Sequence, residues 1–591
     1  MVFRSESSQT ARDDRSPASC SVEDRGTFVE FVENGATRHG DRTAVITLSE
    51  SDSVVLSEPD ERSITYRELE RRTGDLAAWL SGICAVGDRV LLVHPPGEEF
   101  ILAFLACLRA GVVAVPVPAP EFSRSDTSRL PSILSDCGAT VLLTVSGHAG
   151  PLARLLEEEG VPGTSVVATD LLDLPDGRDW DPPRPRADDL AFLQYTSGST
   201  SEPKGVMVSH GNLTHNQRQI QRSMRTDENL VTVAWLPHYH DMGLVGAILH
   251  PLFVGGTTCL MSPHTFLRRP WSWLWAVDRY RATSTVAPNF AYELLLRRSG
   301  PDRVSSFDLS CLEVALNGAE PVDPLVVAGF REKFAPLGLG RSVMCPCYGL
   351  AEATLFVTGR QAGTGAVVTR FHRSSLEGNR LVTEQDGAEG ADMVGCGRAI
   401  DLDVRIVDPG TSRVLPEGHV GEIWLRGGNV AQGYWGGDPA RDEPFRARTA
   451  DGDGPFLRTG DLGGFHDGDL YVTGRIKDMM IVNGRNIHPQ DIEHLAVRSH
   501  PSVSDCRGAA FSPAGGSSRV VLVQETRTPS RDRAVLEETV NRIRGRVWSG
   551  MGLQLSDVVL VARGTVPRTT SGKVRRNAVA VRYRSGELGT L

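Results

Sequence analysis

The sequence predicts an α/β protein: a large N-terminal unit of parallel sheets with helices on their faces, a β-rich subdomain, and a small α+β unit at the C-terminal end. Three observations carry this. From about Thr27 helical and strand patterns alternate; after Gly395 short alternating strands separated by turn residues take over; after Lys477 helices and short strands mix again. At 591 residues the chain also exceeds a single hydrophobic core, so at least two domains are expected. The expected boundaries are a disordered tail over 1–26, a large domain over 27–476 and a small one over 477–591.

In the first part, "TYRELERRTGDLAAWL" has helical periodicity, with Thr65 placed to cap its start. "DRVLLVHPP" reads as a buried strand, "FILAFLACLRAG" as a helix stopped by Gly111, and "VVAVPVPA", "ATVLLTV" and "SVVATD" as further strands. "DVRIVDPGTSRVLPEGHVGEIWLRG" alternates around Pro-Gly and Glu-Gly turns, as β-hairpins do. In the last part "PQDIEHLAVRSH" and "RAVLEETVNRIRGRVW" read as helices, "RVVLVQE" and "DVVLVA" as strands. The polar segment from about Val368 to Met393 is expected to be an insertion or a long surface loop.

Composition excludes several classes. With 40% hydrophobic and 23% charged residues the chain is of ordinary globular make-up, and a net charge of −10 argues against a general nucleic-acid binder. The longest apolar stretch, "FILAFLACLRAGVVAVPV", is cut by Arg109 and Gly111, so no membrane span is expected. The first twenty residues lack a basic start followed by an apolar run, which points to a cytoplasmic protein. Ten cysteines show no zinc spacing, and His238 and His240 have no third ligand beside them.

"YTSGSTSEPKG" is the chemically distinctive stretch. Thr196, Ser197, Gly198, Ser199 and Thr200 offer hydroxyls and unobstructed backbone N–H groups, and Lys204 adds a mobile cation. Such a concavity suits a polyphosphate, although a flexible hydroxyl-rich hairpin would have the same composition. It is not a Walker loop, since no Gly-Lys-Ser/Thr opens a following helix.

The order of motifs carries further than composition. "YTSGSTSEPKG", "WLPHYHDMGLVG", "NGAEPV", "CYGLAEATLFVT", "GEIWLRGGNVAQGYW", "RTGDLGGFHDGDLYVTGRIKDMMIVNGRNIHPQDIE" and "PRTTSGKVRR" follow one another along the chain. This series resembles the adenylate-forming superfamily over nearly the whole sequence, and within it most resembles the stand-alone fatty acyl-AMP ligases. The resemblance implies a large adenylating domain and a mobile lid. It also implies activation of a fatty or related carboxylic acid by ATP and Mg²⁺ to acyl-AMP, followed by loading of an acyl carrier protein. Ser201 stands where many relatives have glycine, and "NIHPQDIE" departs slightly from the subfamily form.

The resemblance also implies roles. The 196–200 loop and Lys204 would hold the β- and γ-phosphates, with Glu352 and Thr196 on Mg²⁺. Asn317, Gly318, Ala319, Glu320 and Pro321 would line the adenine edge beside Tyr348, Gly349, Leu350 and Ala351. Tyr348 would stack on the base or be a buried core tyrosine. Asp461 would accept the ribose hydroxyls and Arg475 would contact the nucleotide. Lys573 would reach the attacking carboxylate and the α-phosphate; His240 would lie near that carboxylate or be a core histidine. Trp235, Met242, Gly243 and Val245 would line the acyl channel, and Lys477 would be the pivot of the lid. The competing functions are an acyl-CoA synthetase, an amino-acid adenylating enzyme using Asp241 for the ammonium, and an inactive ATP-binding scaffold.

Overall fold

Thr65 caps the helix Tyr66–Ser81 as expected, its hydroxyl accepting from the Glu68 N–H at 3.2 Å. The computed structural model describes residues 26–49, 60–119, 129–161, 163–177, 180–196, 203–384, 390–482, 485–513, 519–529, 531–568, 572–589 and 591. The expected tail over 1–26 therefore lies outside the described residues except for Gly26.

Two sheets dominate the large unit. The first runs Ser165–Ala168, Val141–Thr144, Arg89–Leu92, Val113–Pro116, Leu190–Thr196, Lys204–Ser209. Its strands are parallel except for the last pair, an antiparallel hairpin. The second has nine strands, with a parallel centre made by Thr43–Ser49, Thr257–Met261, Val231–Ala234, Ser284–Pro288, Val314–Gly318 and Met344–Gly349. Helices between the two sheets, chiefly Glu98–Arg109 and Tyr66–Ser81, bury Phe100, Phe104, Leu69 and Leu80 in one continuous core. A helix buried on every side explains why "FILAFLACLR" is so apolar without spanning a membrane. No helix among the described residues is long and apolar enough to cross a bilayer.

The β-rich part forms a four-stranded antiparallel sheet, Asp403–Val407, Gly421–Arg426, Leu457–His466 and Asp469–Arg475. From Met480 onward the chain packs cores of its own, Ile492, Leu522, Ile543 and Val547 in one and Val523, Val561 and Val579 in another. These surround a three-stranded sheet of Gly508–Phe511, Val521–Thr526 and Asp557–Ala562.

The segment expected as a surface loop is ordered instead. Val368–His372 and Gly390–Val394 pair antiparallel, and Arg373–Glu377 forms a short helix. Its few apolar residues are the reason: Phe371 and Leu381 are buried with Val420, Leu462 and Tyr471, against Ile476 and Met479. Two well-placed anchors outweigh an otherwise polar composition. Residues 385–389 lie outside the described residues.

Candidate active site

The hydroxyl-rich stretch joins two antiparallel strands, with Thr196 paired to Lys204 across the hairpin. Ser197, Gly198, Ser199 and Thr200 lie outside the described residues. A third segment supports the hairpin: Met207 N–H donates to Gly433 O at 2.9 Å and Trp435 N–H to Gly205 O at 2.7 Å. This brings Tyr434 up to the hairpin. The Lys204 ammonium stands 5.0 Å from the Tyr434 ring centroid, and the Tyr434 hydroxyl donates to Glu352 Oε1 at 2.7 Å. Burial and the Glu352 charge push the Tyr434 hydroxyl well above its ordinary range, so it stays a donor. One tyrosine thus ties together a cation and an acid that the sequence reading treated separately. Tyr434 lies inside a recognised motif but had been given no role.

The proposed nucleotide face lies at the carboxyl ends of the neighbouring parallel strands Val314–Gly318 and Met344–Gly349, where open α/β sheets bind ligands. Asn317 is buried; its amide donates to Asn289 Oδ1 at 3.3 Å, while its own Oδ1 has no partner. Gly318 is needed for close approach, since a Cβ there would stand 2.8 Å from Cys347 Sγ. Ala319 and Thr354 both adopt φ of 65°. That conformation is uncommon outside glycine and costs about 1 kcal/mol or more, a feature that gathers at binding sites. Glu320 accepts the Phe290 N–H at 2.5 Å, and Pro321 is exposed next to it. Gly349 is half-buried, Leu350 and Ala351 are buried, and Glu352 follows them in a single 3₁₀ turn, Ala351–Ala353.

Tyr348 joins the core, yet its hydroxyl donates to Asp461 Oδ2 at 2.8 Å, while Arg475 Nε holds Asp461 Oδ1 at 2.7 Å. Asp461 and Arg475 face each other across adjacent strands. Asp461 is 5% exposed, so its charge is spent on these partners and on whatever further hydroxyl reaches it. Burial, with the Asp461 charge, pushes Tyr348 far up; Asp461 raises Arg475. Asp461→Asn is expected to raise the KM for ATP about tenfold, the loss of one hydrogen bond to a charged acceptor. Pyrophosphate-exchange kinetics check this, and an unchanged KM with lowered thermal stability would leave Asp461 a purely structural ion-pair member.

A second group assembles around His240. Burial, and then the charges of Lys573 and Arg129, push the His240 imidazole down to about 4, so it is neutral at pH 7. Asp241 is pushed up by burial, against the opposing Lys573 charge, and accepts the Met242 N–H at 2.7 Å. Lys573 also acts on Glu320. Its loop is clamped at the base: Arg568 bridges to Val574, Arg575 N–H donates to Pro567 O at 2.9 Å, and buried Glu525 accepts the Gly564 and Val566 N–H groups, each at 2.9 Å. A Cβ on Gly572 would stand 3.7 Å from the Phe290 ring, so the loop abuts the large unit.

After Asp241 the chain runs as a π-helix, Met242–Leu249, a form concentrated at functional sites. The residues expected in the acyl channel sit in the interior. Met242 and Val245 belong to the inter-sheet core, Gly243 packs against the Pro237 carbonyl, and Trp235 stacks on Phe266 at 3.8 Å. A cleft begins beside them at His240, Tyr239 and Thr196, is lined also by Arg129, Tyr195 and Pro203, and has its apolar wall in Pro116, Val117, Pro118, Leu130 and Ile133. Sequence reasoning named none of these five as lining, since burial patterns do not say which side of a strand or helix meets a cleft.

Lys477 follows the strand Asp469–Arg475 and is exposed; partial desolvation, then Arg475, lowers its ammonium, while Asp478, Asp461 and Glu352 act the other way. Beyond it the ordered insertion grips the C-terminal unit. Arg485 donates to both oxygens of Glu377, at 2.8 Å and 2.5 Å, and to Met551 O at 2.6 Å; Asn486 donates to Asn379 at 2.9 Å.

Residues 32–435 match the family described as AMP-binding enzyme. This chain is an AMP-binding enzyme. A curated relative, the medium-chain-fatty-acid–[acyl-carrier-protein] ligase JamA of Moorena producens (strain JHB), is 39% identical over 541 residues, covering 90% of this chain and 91% of that protein. The 4-hydroxyphenylalkanoate adenylyltransferase of Mycobacterium tuberculosis (strain ATCC 25618 / H37Rv) is 36% identical, over 95% of this chain and 93% of that one. Among solved structures, one from a study of fatty acyl-adenylate ligases from E. coli and L. pneumophila aligns with a TM-score of 0.84 at 31% identity. It covers 95% of this AMP-binding enzyme and 98% of that chain. The α/β architecture read from the sequence is thus the architecture of that group.

Proposed function

We propose that this enzyme joins a fatty or related carboxylic acid to AMP and passes the acyl group to the phosphopantetheine thiol of an acyl carrier protein. The observation that carries the reading is the convergence of the Lys573 charge, from the C-terminal unit, on His240 and Asp241 beside the phosphate hairpin.

A carboxylate is a poor acyl donor because oxide would have to leave. In the first step a carboxylate oxygen attacks the α-phosphorus of ATP; the new P–O bond forms as the bond to the bridging oxygen breaks, and pyrophosphate carries off the electron pair. Almost no proton moves, so catalysis is alignment and charge neutralisation. Lys573 steadies the incoming carboxylate and the α-phosphate, neutral His240 shapes the approach, and the hairpin with Lys204 holds the departing phosphates. In the second step the thiol attacks the acyl carbon, loses its proton, and AMP leaves.

Mg²⁺ supplies further neutralisation of the triphosphate. Glu352 and the Thr196 hydroxyl are hard oxygen donors suited to it. Among the described residues no three His, Cys, Asp or Glu side chains converge, so a single carboxylate fits an ion that arrives with its phosphates. The reliance on ATP suits a cytoplasmic location.

The apolar walls of the cleft support an acyl tail. The amino-acid alternative would use Asp241 for the substrate ammonium, but that carboxylate already accepts the Met242 N–H and lies within the field of the Lys573 charge. The contacts of Arg485 and Asn486 with the insertion support a carrier protein over coenzyme A, since rotation of the C-terminal unit about Lys477 has to part them. The test is pyrophosphate exchange across acids of graded length, followed by thioester formation with coenzyme A and with phosphopantetheinylated carrier protein. Exchange with medium or long acids and loading of the carrier is expected; fast acyl-CoA formation would overturn the second half of the reading.

A further inference from the structure

The helix Arg533–Met551 buries Leu536, Thr539, Ile543, Val547 and Met551 and turns its other side to solvent. Its two halves differ. Near the start Arg542 pairs with Glu538 at 2.6 Å. From Arg542 to Gly552, "RIRGRVWSGMG", there is no acidic residue. Arg544 and Arg546 are exposed, and neither pairs with a carboxylate among the described residues. Trp548 is 61% exposed, and it stands one turn from Arg544 on the same flank. Arg546 projects from the opposite flank, so the buried stripe is edged by an arginine on each side, and Trp548 beside Arg544 has the composition of an interface anchor rather than of an ordinary solvated face. This cationic end belongs to a chain whose net charge is −10.

The position adds a second argument. The helix ends at the Met551 carbonyl that receives Arg485, and Arg485 is the residue held by Glu377 of the insertion. Arg485 keeps 34% of its side chain exposed, so another carboxylate can reach it. The stretch from Arg542 to Met551 is about 14 Å long, enough for one helix to lie against.

Resting on the function proposed above, we propose that this end of the helix is the docking surface for the acidic face of an acyl carrier protein. The docked carrier offers carboxylates that compete with Glu377 for Arg485. The partner thereby loosens the contact between insertion and C-terminal unit and admits its own thiol arm. Coenzyme A has phosphates for the arginines and an adenine face for Trp548, but no protein body to span the helix and no carboxylate to compete with Glu377.

The test uses the full chain with a phosphopantetheinylated acidic carrier protein. Arg544→Glu with Arg546→Glu, and separately Trp548→Ala, are expected to leave acid-dependent pyrophosphate exchange unchanged. Carrier loading should fall about tenfold or more in kcat/KM, mainly through KM, with a flatter salt dependence for the charge reversal. Glu377→Ala is expected to raise loading several-fold at low carrier concentration. Loading by the charge-reversed enzyme at the unaltered rate, with exchange intact, overturns the docking surface. An effect of the reversal on coenzyme A use but not on the carrier assigns the arginines to a nucleotide and overturns it too. No gain from Glu377→Ala overturns the competition. Adenylate formation by the unaltered enzyme without any loading of an acidic carrier overturns the functional reading itself.

Discussion

Replacing Lys573 with alanine is expected to lower acid-dependent pyrophosphate exchange by about 10²–10³-fold, the usual cost of removing one preorganised group aimed at transition-state charge. Its charge acts on His240, Asp241 and Glu320, three residues from two different motifs. Glu525 and the Arg568–Val574 bridge hold the base of its loop and would hold it equally in the variant. ATP should still bind, because the hairpin, Lys204 and Asp461 are untouched. Transfer of the acyl group from supplied acyl-adenylate to the carrier should survive, since that step forms no bond at phosphorus. Labelled pyrophosphate incorporation with and without acid checks the first half; exchange at the unaltered rate would remove Lys573 from the mechanism.

Glu352→Gln is expected to be nearly as damaging, about 10²-fold in rate, with a higher Mg²⁺ concentration needed for half-maximal activity. The substitution keeps the shape and leaves an amide oxygen for the Tyr434 hydroxyl, which now donates to Glu352 Oε1 at 2.7 Å. What it removes is the charge. If Glu352 served only to hold Tyr434 under Lys204, glutamine would serve as well. A Mg²⁺ titration of pyrophosphate exchange distinguishes the two: an unshifted titration with full activity would assign Glu352 to packing alone.

The sequence was most informative where chemistry and backbone coincide in a short stretch. The hairpin around Thr196 and Lys204, the strands "RVVLVQE" and "DVVLVA", and the Thr65 cap all depend on residues within a few positions of one another. Contacts made across long spans were not legible. Tyr434 meets Glu352 82 positions away, and Arg485 meets Glu377 across 108. The insertion failed as a loop because two buried residues, Phe371 and Leu381, counted for more than its polar average. The acyl residues illustrate a different limit. Trp235 and Val245 are apolar and close to His240 in sequence, yet they fill the interior, while Pro116, at the end of an inner strand of the other sheet, and Leu130 and Ile133, on the helix Leu130–Cys137, line the opening. Apolar character predicts burial; it does not distinguish a wall facing a void from one facing another side chain.

The grip of Glu377 on Arg485 has a consequence for timing. The pair is partly open to solvent, 16% and 34% exposed, so its two bonds are worth about 1–2 kcal/mol rather than the full value of a buried ion pair. For the rotation proposed about Lys477, a bias of that size would thin the rotated population by a factor of about 5 to 30 without forbidding it. The acyl-adenylate would then wait, shielded, far longer than it would under an unrestrained cover, and its lifetime against water would be set by a surface contact remote from the reacting atoms.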